Sequence, residues 1–287
     1  MCDDLTDRDN EGLQNGVSRR DFGVMAGAAG LAALLPAPAD AKPIKGRDVS
    51  FATPDGTADG YFVAPAGGKH PGVLIWPDIM GIRPAARRVA DRLAQSGYAV
   101  LTLNPFYRSV KGQFLKEGEG FGTASVREKI GPWRALLTPD AVTRDAVASV
   151  AWLDKQREVN VKRGIGTTGY CMGGPFTMRT AAAVPARVRA GASFHGGGIG
   201  TDKPDSPHLL VPKMKAGFLF AVAQNDDQRN PNEKELVRTA FAQAKSPAEI
   251  EVYPANHGWC MPDSPAYDQA QADKAWGRLL ALLSAKL

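Results

Sequence analysis

The sequence predicts an α/β domain built on a doubly wound, largely parallel sheet with helices on both faces. Three observations lead there: short apolar runs alternate with amphipathic stretches, the runs are rich in β-branched and aromatic residues, and glycine- or proline-containing turns separate them. Parallel strands need crossover connections, so such alternation specifies a sheet covered on both sides, with its sites at the C-terminal strand edge. The strand-like runs are 61–64, 73–76, 98–103, 164–168, 190–194, 218–223 and 250–253. Two helix starts carry a hydroxyl residue followed by proline: Thr138-Pro139-Asp140 opens a helix to about residue 155, and Ser264-Pro265 opens the terminal one. The segment 106–137 is longer than an ordinary connection. Leaving the sheet beside the site, it reads as a lid whose Phe106, Tyr107 and Trp133 line an acyl pocket, or as a partly helical surface excursion.

Residues 1–41 read as an export signal. Ser18-Arg19-Arg20-Asp21-Phe22 is a twin-arginine pattern, a mildly apolar stretch follows over 23–35, and Ala39-Asp40-Ala41 has the small-x-small form of a cleavage site. The apolar stretch is short and rich in Gly and Ala for a membrane span, with a retained anchor as the alternative. Cleavage after Ala41 leaves 42–287, which is 246 of the 287 residues and enough for one α/β domain. The expected location is therefore periplasmic or otherwise exported, reached through the twin-arginine machinery, with no stable membrane partner after cleavage. Losing the signal removes three basic and seven acidic side chains, raising the formal charge from +5 to +9. That balance steers anionic small molecules inward, whereas basic residues spread along the chain without an aromatic-basic cluster argue against nucleic acid.

Gly169-Tyr170-Cys171-Met172-Gly173 follows one strand-like run and precedes the helix-like run 175–184, the layout of a nucleophile elbow with sulfur in place of oxygen. Such a bend holds its nucleophile in strained backbone, and glycines on both sides avoid clashes with the neighbouring strand and helix. It also aims the first helical N–H groups at whatever binds there, which stabilises a thiolate or an oxyanion. A free thiol is only slightly ionised near neutrality, so it needs a base. His257, in the loop after the run 250–253, is the candidate; Asp226 or its neighbour Asp227, after the run 218–223, would orient the imidazole, with Asp226 preferred. Nucleophile, acid and histidine stand in the chain order of α/β-hydrolases. His195-Gly196-Gly197-Gly198 follows the nucleophile rather than preceding it and reads as a Gly-rich turn; His70 and His208 read as loop histidines. With no His-x-x-x-His or Cys-x-x-Cys spacing, neither a metal nor a cofactor is expected. The mature chain would keep Cys171 and Cys260; pairing them would abolish the nucleophile, so Cys260 is expected to be a packing residue.

These motifs, together with Pro77-Asp78-Ile79-Met80-Gly81 and Tyr253-Pro254 before His257-Gly258, resemble the dienelactone hydrolase (carboxymethylenebutenolidase) family from about residue 48 onward. The resemblance implies an α/β-hydrolase fold and hydrolysis of a small-molecule ester or lactone through an acyl-thioester on Cys171. It further implies main-chain oxyanion donors at Ile79 and Met172, a thiol-gating acid at Asp78 where the family usually has glutamate, and a substrate-carboxylate partner at Arg108. The family's second substrate-binding arginine, just after the histidine, is missing from His257-Gly258-Trp259-Cys260-Met261, which argues against dienelactone itself as the substrate while leaving acyl transfer to water intact. A thioesterase, a broad carboxylesterase, or a thiol redox or binding protein on the same scaffold are the alternative functions.

Overall fold

The computed structural model describes residues 9, 10, 13, 35, 37, 38 and 40–287. The expected export signal therefore lies almost wholly outside the described residues. In chain order the strands are β1 (Ile44–Thr53), β2 (Gly56–Pro65), β3 (Gly72–Trp76), β4 (Ala99–Leu103), β5 (Ile165–Tyr170), β6 (Val188–Phe194), β7 (Gly217–Ala223) and β8 (Ala248–Tyr253). The helices are α1 (Pro84–Gln95), α2 (Ala124–Ala135), α3 (Pro139–Leu153), α4 (Gly174–Ala183), α5 (Gln224–Arg229), α6 (Asn232–Gln243) and α7 (Gln269–Lys286). One sheet holds all eight strands in the order β1-β2-β4-β3-β5-β6-β7-β8. From β4 to β8 every pairing is parallel, while β1 and β2 form an antiparallel hairpin whose second strand runs antiparallel to β4.

The central strands are continuous apolar runs because both faces are covered: every residue of β3, β4 and β5 is buried. Alternate side chains feed two cores. Leu74 and Trp76 pack on one face with Leu101, Phe106 and Met178, and Val73 and Ile75 on the other with Val89, Leu93 and Leu279. β1 is absent from the sequence reading because it lacks that signature; it is an edge strand with Lys45, Arg47 and Asp48 exposed to solvent.

Thr138 caps α3 as its sequence suggests, its hydroxyl accepting from the Ala141 N–H at 3.2 Å. The other expected helix start is corrected. The terminal helix begins at Gln269, where the Asp268 carboxylate accepts from the Gln271 N–H at 3.0 Å. Ser264 instead closes a turn, its hydroxyl accepting from the Ala266 N–H at 3.2 Å. Serine before proline favours a tight turn as readily as a helix cap, and here the turn belongs to the loop that carries His257.

The excursion after β4 contains α2, which has Pro132 inside it. Its base is fastened by ion pairs. Arg108 donates to both oxygens of the buried Asp145 at 2.8 Å, and to Asp55 in the β1–β2 turn at 2.5 Å. Asp55 also accepts from Arg144 at 2.8 Å, and the Tyr107 hydroxyl donates to Asp145 at 2.6 Å. The Arg108 fork, expected from the resemblance to meet a substrate carboxylate, is here bonded to protein carboxylates, and Tyr107, expected at an acyl pocket, bonds the same ion cluster. Removing one partner of a buried pair strands the other charge. Replacing Arg108 by Met is expected to lower stability by about 3 kcal/mol, read as a shift in the urea unfolding midpoint; an unchanged midpoint would contradict this role.

Candidate active site

The parallel strands end in step. Trp76 of β3 is level with Gly169 of β5, Tyr170 of β5 with Phe194 of β6, and Ala223 of β7 with Tyr253 of β8. The residues just beyond those ends are Asp78, Cys171, His195, Asp226 and His257. The sheet thus gathers at one edge groups that lie as much as 179 positions apart in the chain.

Cys171 is buried, and its φ of 50° lies in the left-handed region that a non-glycine residue enters only under constraint. The neighbouring glycines supply the constraint. A Cβ on Gly169 would overlap the Gly173 carbonyl, and one on Gly173 would overlap the Trp76 carbonyl of β3. Backbone meets backbone on both sides, so the bend has nowhere to relax. Residues 171–173 form a single 3-10 turn running into α4. Met172 sits at the start of that turn, where N–H groups have no intrahelical acceptor.

The imidazole of His257 bonds on two sides. Its Nδ1 is 2.6 Å from Asp226 Oδ2, and its other side hydrogen-bonds the Cys171 sulfur. Asp227 turns instead to Lys234, at 2.6 Å, so the geometry separates the two candidate acids. The loops after β7 and β8 are joined by backbone and side chains: the Gln224 N–H donates to Ala255 O at 3.0 Å, and the His257 N–H donates to Asn225 Oδ1 at 2.9 Å. From the N-terminal segment, Asn10 Nδ2 donates to the His257 carbonyl at 3.3 Å, and Asp9 accepts from Asn225 Nδ2 at 2.8 Å. Burial pushes the His257 imidazole down, but the Cys171 thiolate, the bonds to Asp226 and Cys171, and the Asp226 charge outweigh it, raising the pKa to about 9. Burial would raise the Asp226 carboxyl, yet its bond to His257 and the imidazolium charge hold it below the usual range. The titration of the imidazole is therefore coupled to the charge on the sulfur.

Asp78 is buried and accepts from Arg83 Nη1 and Nη2 at 2.7 and 2.8 Å and from the Met80 N–H at 2.9 Å. It does not cap α1, whose N-cap is Arg83 without a side-chain cap bond. Arg83 also donates through Nε and Nη2 to Asp263, at 2.5 and 2.9 Å. Burial pushes the Asp78 carboxyl up against the pull of Arg83, and the charge on Cys171 adds to the rise, which places the acid within electrostatic reach of the sulfur. Arg83 thus ties the 78–81 turn, with its Ile79 amide, to the loop carrying His257. Nothing in local sequence marks it, because its partners lie 5 and 180 positions away.

His195 also exceeds its sequence reading. It is buried with φ 40°, its ring lies edge-on to His257 at 4.8 Å and to Trp259 at 5.2 Å, and among the described residues neither of its ring nitrogens has a hydrogen-bond partner. Burial and the His257 charge depress its pKa to about 3, so this second imidazole is neutral. Cys260 is a buried thiol that burial pushes well above its ordinary value, and among the described residues neither it nor Cys171 is in a disulfide. Among the described residues no group of three or more His, Cys, Asp or Glu side chains is placed to hold a metal ion.

A mostly parallel sheet with a cysteine at a strained strand-to-helix bend, and acid and histidine on later strand ends, defines an α/β-hydrolase. The dienelactone hydrolase family model matches residues 58–287, and the chain belongs to that family. It is 28% identical over 212 residues to the carboxymethylenebutenolidase of Rhodococcus opacus, covering 72% of this chain and 77% of that protein. It is 27% identical over 221 residues to a Bradyrhizobium protein named "Probable 2-oxo-3-(5-oxofuran-2-ylidene)propanoate lactonase", covering 75% of this chain and 84% of that one. Among solved structures, a dienelactone hydrolase-like promiscuous phosphotriesterase from metagenomic libraries superposes with a TM-score of 0.68 at 22% identity, over 85% of this chain and 99% of that one. The dienelactone hydrolase of Anabaena variabilis gives 0.61 at 18%, over 85% and 99% respectively. The chain is a hydrolase of ester or lactone bonds.

The electrostatics give a titration with a definite sign. His257 is expected to stay protonated until the pH nears about 9 in the wild type. In Cys171→Ala the sulfur's charge and hydrogen bond are gone, leaving burial opposed by Asp226 alone, so the midpoint falls. Histidine NMR titration of both proteins measures it; an equal or higher midpoint in the variant would contradict the coupled pair.

Proposed function

We propose that this hydrolase acts through an acyl-thioester on Cys171. The observation that carries the reading is the bond chain Asp226–His257–Cys171 at the strained bend: Nδ1 is held by the carboxylate, which leaves Nε2 for the sulfur. The thiolate attacks the carbonyl carbon, and the displaced electron pair rests on an oxygen held by the Ile79 and Met172 amides. Collapse of the tetrahedral species expels the alkoxide, which takes the proton from His257. The neutral imidazole then removes a proton from water as its oxygen attacks the thioester. Departure of the thiolate releases the carboxylic acid, while His257 keeps that proton and restores the starting pair. The high pKa of the buried Cys260 thiol weighs against a redox partnership, because its thiolate is scarce at neutral pH.

In this reading Cys171→Ala keeps the fold and loses ester hydrolysis. Asp226→Asn lowers kcat by about 10²–10⁴-fold, whereas Asp227→Asn stays within about threefold, since it removes only a surface-type pair. Steady-state hydrolysis of a p-nitrophenyl ester, with intact-mass detection of the Cys171 adduct, tests all three. Residual turnover in Cys171→Ala rejects the mechanism.

We further propose that the enzyme is exported by the twin-arginine route. The support is Arg19-Arg20 ahead of a short apolar stretch and Ala39-Asp40-Ala41. Changing Arg19 and Arg20 to Lys is expected to trap the uncleaved chain in the cytoplasm, seen by cell fractionation. Undiminished export of that variant would refute the route.

A further inference from the structure

We infer that the substrate is an uncharged ester or lactone with an apolar acyl portion of aromatic size, and that a free carboxylate on the acyl group is selected against. The inference rests on the reading of Cys171 as the nucleophile and names the substrate class for that site.

The first support is the state of the arginines. Recognition of a carboxylate inside a water-poor site needs a guanidinium or ammonium with open donors, because desolvating an anion without a partner is costly. Two arginines flank the strand-end loops. Arg83 has all three nitrogens bonded to Asp78 and Asp263 and is 3% exposed. Arg108 forks onto Asp145, reaches Asp55, and stacks its guanidinium 4.5 Å from the centroid of the Tyr107 ring. A third, Arg229, lies on the Asp226 side of the imidazole, 3.8 Å from that carboxylate. Beside the oxyanion turn, two carboxylates share one guanidinium, so the local field repels an anion although the chain as a whole is basic. Over a few ångströms these neighbours outweigh the screened pull of distant surface charge.

The second support is the wall that replaces them. Phe106, Phe114 and Trp133 form a mutual aromatic cluster with ring centroids 5.2 to 5.9 Å apart. It stands directly on the 78–81 turn: a Cβ at Gly81 would lie 3.2 Å from Phe114 Cε1 and 3.7 Å from Phe106 Cδ2. Ile79, Phe106, Cys171, Met172 and Phe176 belong to one continuous apolar cluster, and Met80, Phe114 and Trp133 are half-buried at its rim. Half-buried aromatic side chains thus pack against the turn that follows Asp78, and in this proposal their outer edges meet the acyl portion of the substrate. The Tyr107 hydroxyl on this segment is occupied by Thr53 and Asp145.

The test compares two esters of p-nitrophenol on the full chain: the pentanoate and the hemisuccinate, which are close in length and share a leaving group but differ in a terminal carboxylate. The pentanoate is expected to show a kcat/KM at least about tenfold higher. In Phe114→Ala, kcat/KM for p-nitrophenyl benzoate should fall about tenfold and that for the acetate about twofold or less. Equal or faster acylation of Cys171 by the hemisuccinate, or equal losses for benzoate and acetate in Phe114→Ala, overturns the substrate class while leaving the nucleophile intact. Absence of a Cys171 adduct with every ester overturns the nucleophile and the substrate class together.

Discussion

The site depends on one close approach, the passage of the Gly173 backbone beneath the Trp76 carbonyl. It forces the chain to leave β5 through a left-handed cysteine, and that conformation lifts the sulfur off the strand end toward the imidazole. Left-handed backbone costs a β-substituted residue on the order of 1 kcal/mol or more. The cost is met by the sheet: β3 and β5 are wholly buried parallel neighbours, so the bend cannot unwind without parting the centre of the core. Strain at the nucleophile and rigidity in the middle strands are two aspects of the same packing.

Electrostatics around that bend are organised in closed groups. Asp226, His257 and Cys171 form one, Asp78, Arg83 and Asp263 a second, and Asp55, Asp145, Arg108 and Arg144 a third. The first carries the chemistry. The second joins the turn before α1 to the loop after β8, so that the proposed oxyanion donor and the histidine move as one piece. The third fastens the excursion that supplies the aromatic wall. Charges buried and partnered in this way fix geometry more than they add stability.

Much of this was legible in the sequence, and the boundary of legibility is physical. The seven strand-like runs are strands because central parallel strands carry a continuous apolar signature; β1 escapes because an edge strand does not. Cys171, Asp226 and His257 are signalled by glycine spacing and by their places after strands, all local features. Arg83, Asp263 and Asn225 are not, since their meaning arises only when distant loops meet. For Arg108 the position after β4 suggests a ligand-binding fork, and only the fold reveals its bonds to Asp145, nearly two turns inside α3. Ser264-Pro265 misleads because one dipeptide serves both a helix start and a turn.

The sheet's two outer strands also bear on how the molecule behaves among its own copies. β1 offers Lys45, Arg47 and Asp48 to water along one margin, and on the other Glu249 and Glu251 of β8 are bridged by Arg278 and Lys274 of α7. A strand approaching either margin in search of hydrogen bonds would have to strip water from fixed charges or break ion pairs. Lateral growth of the sheet into fibrillar aggregates is thereby discouraged at both ends.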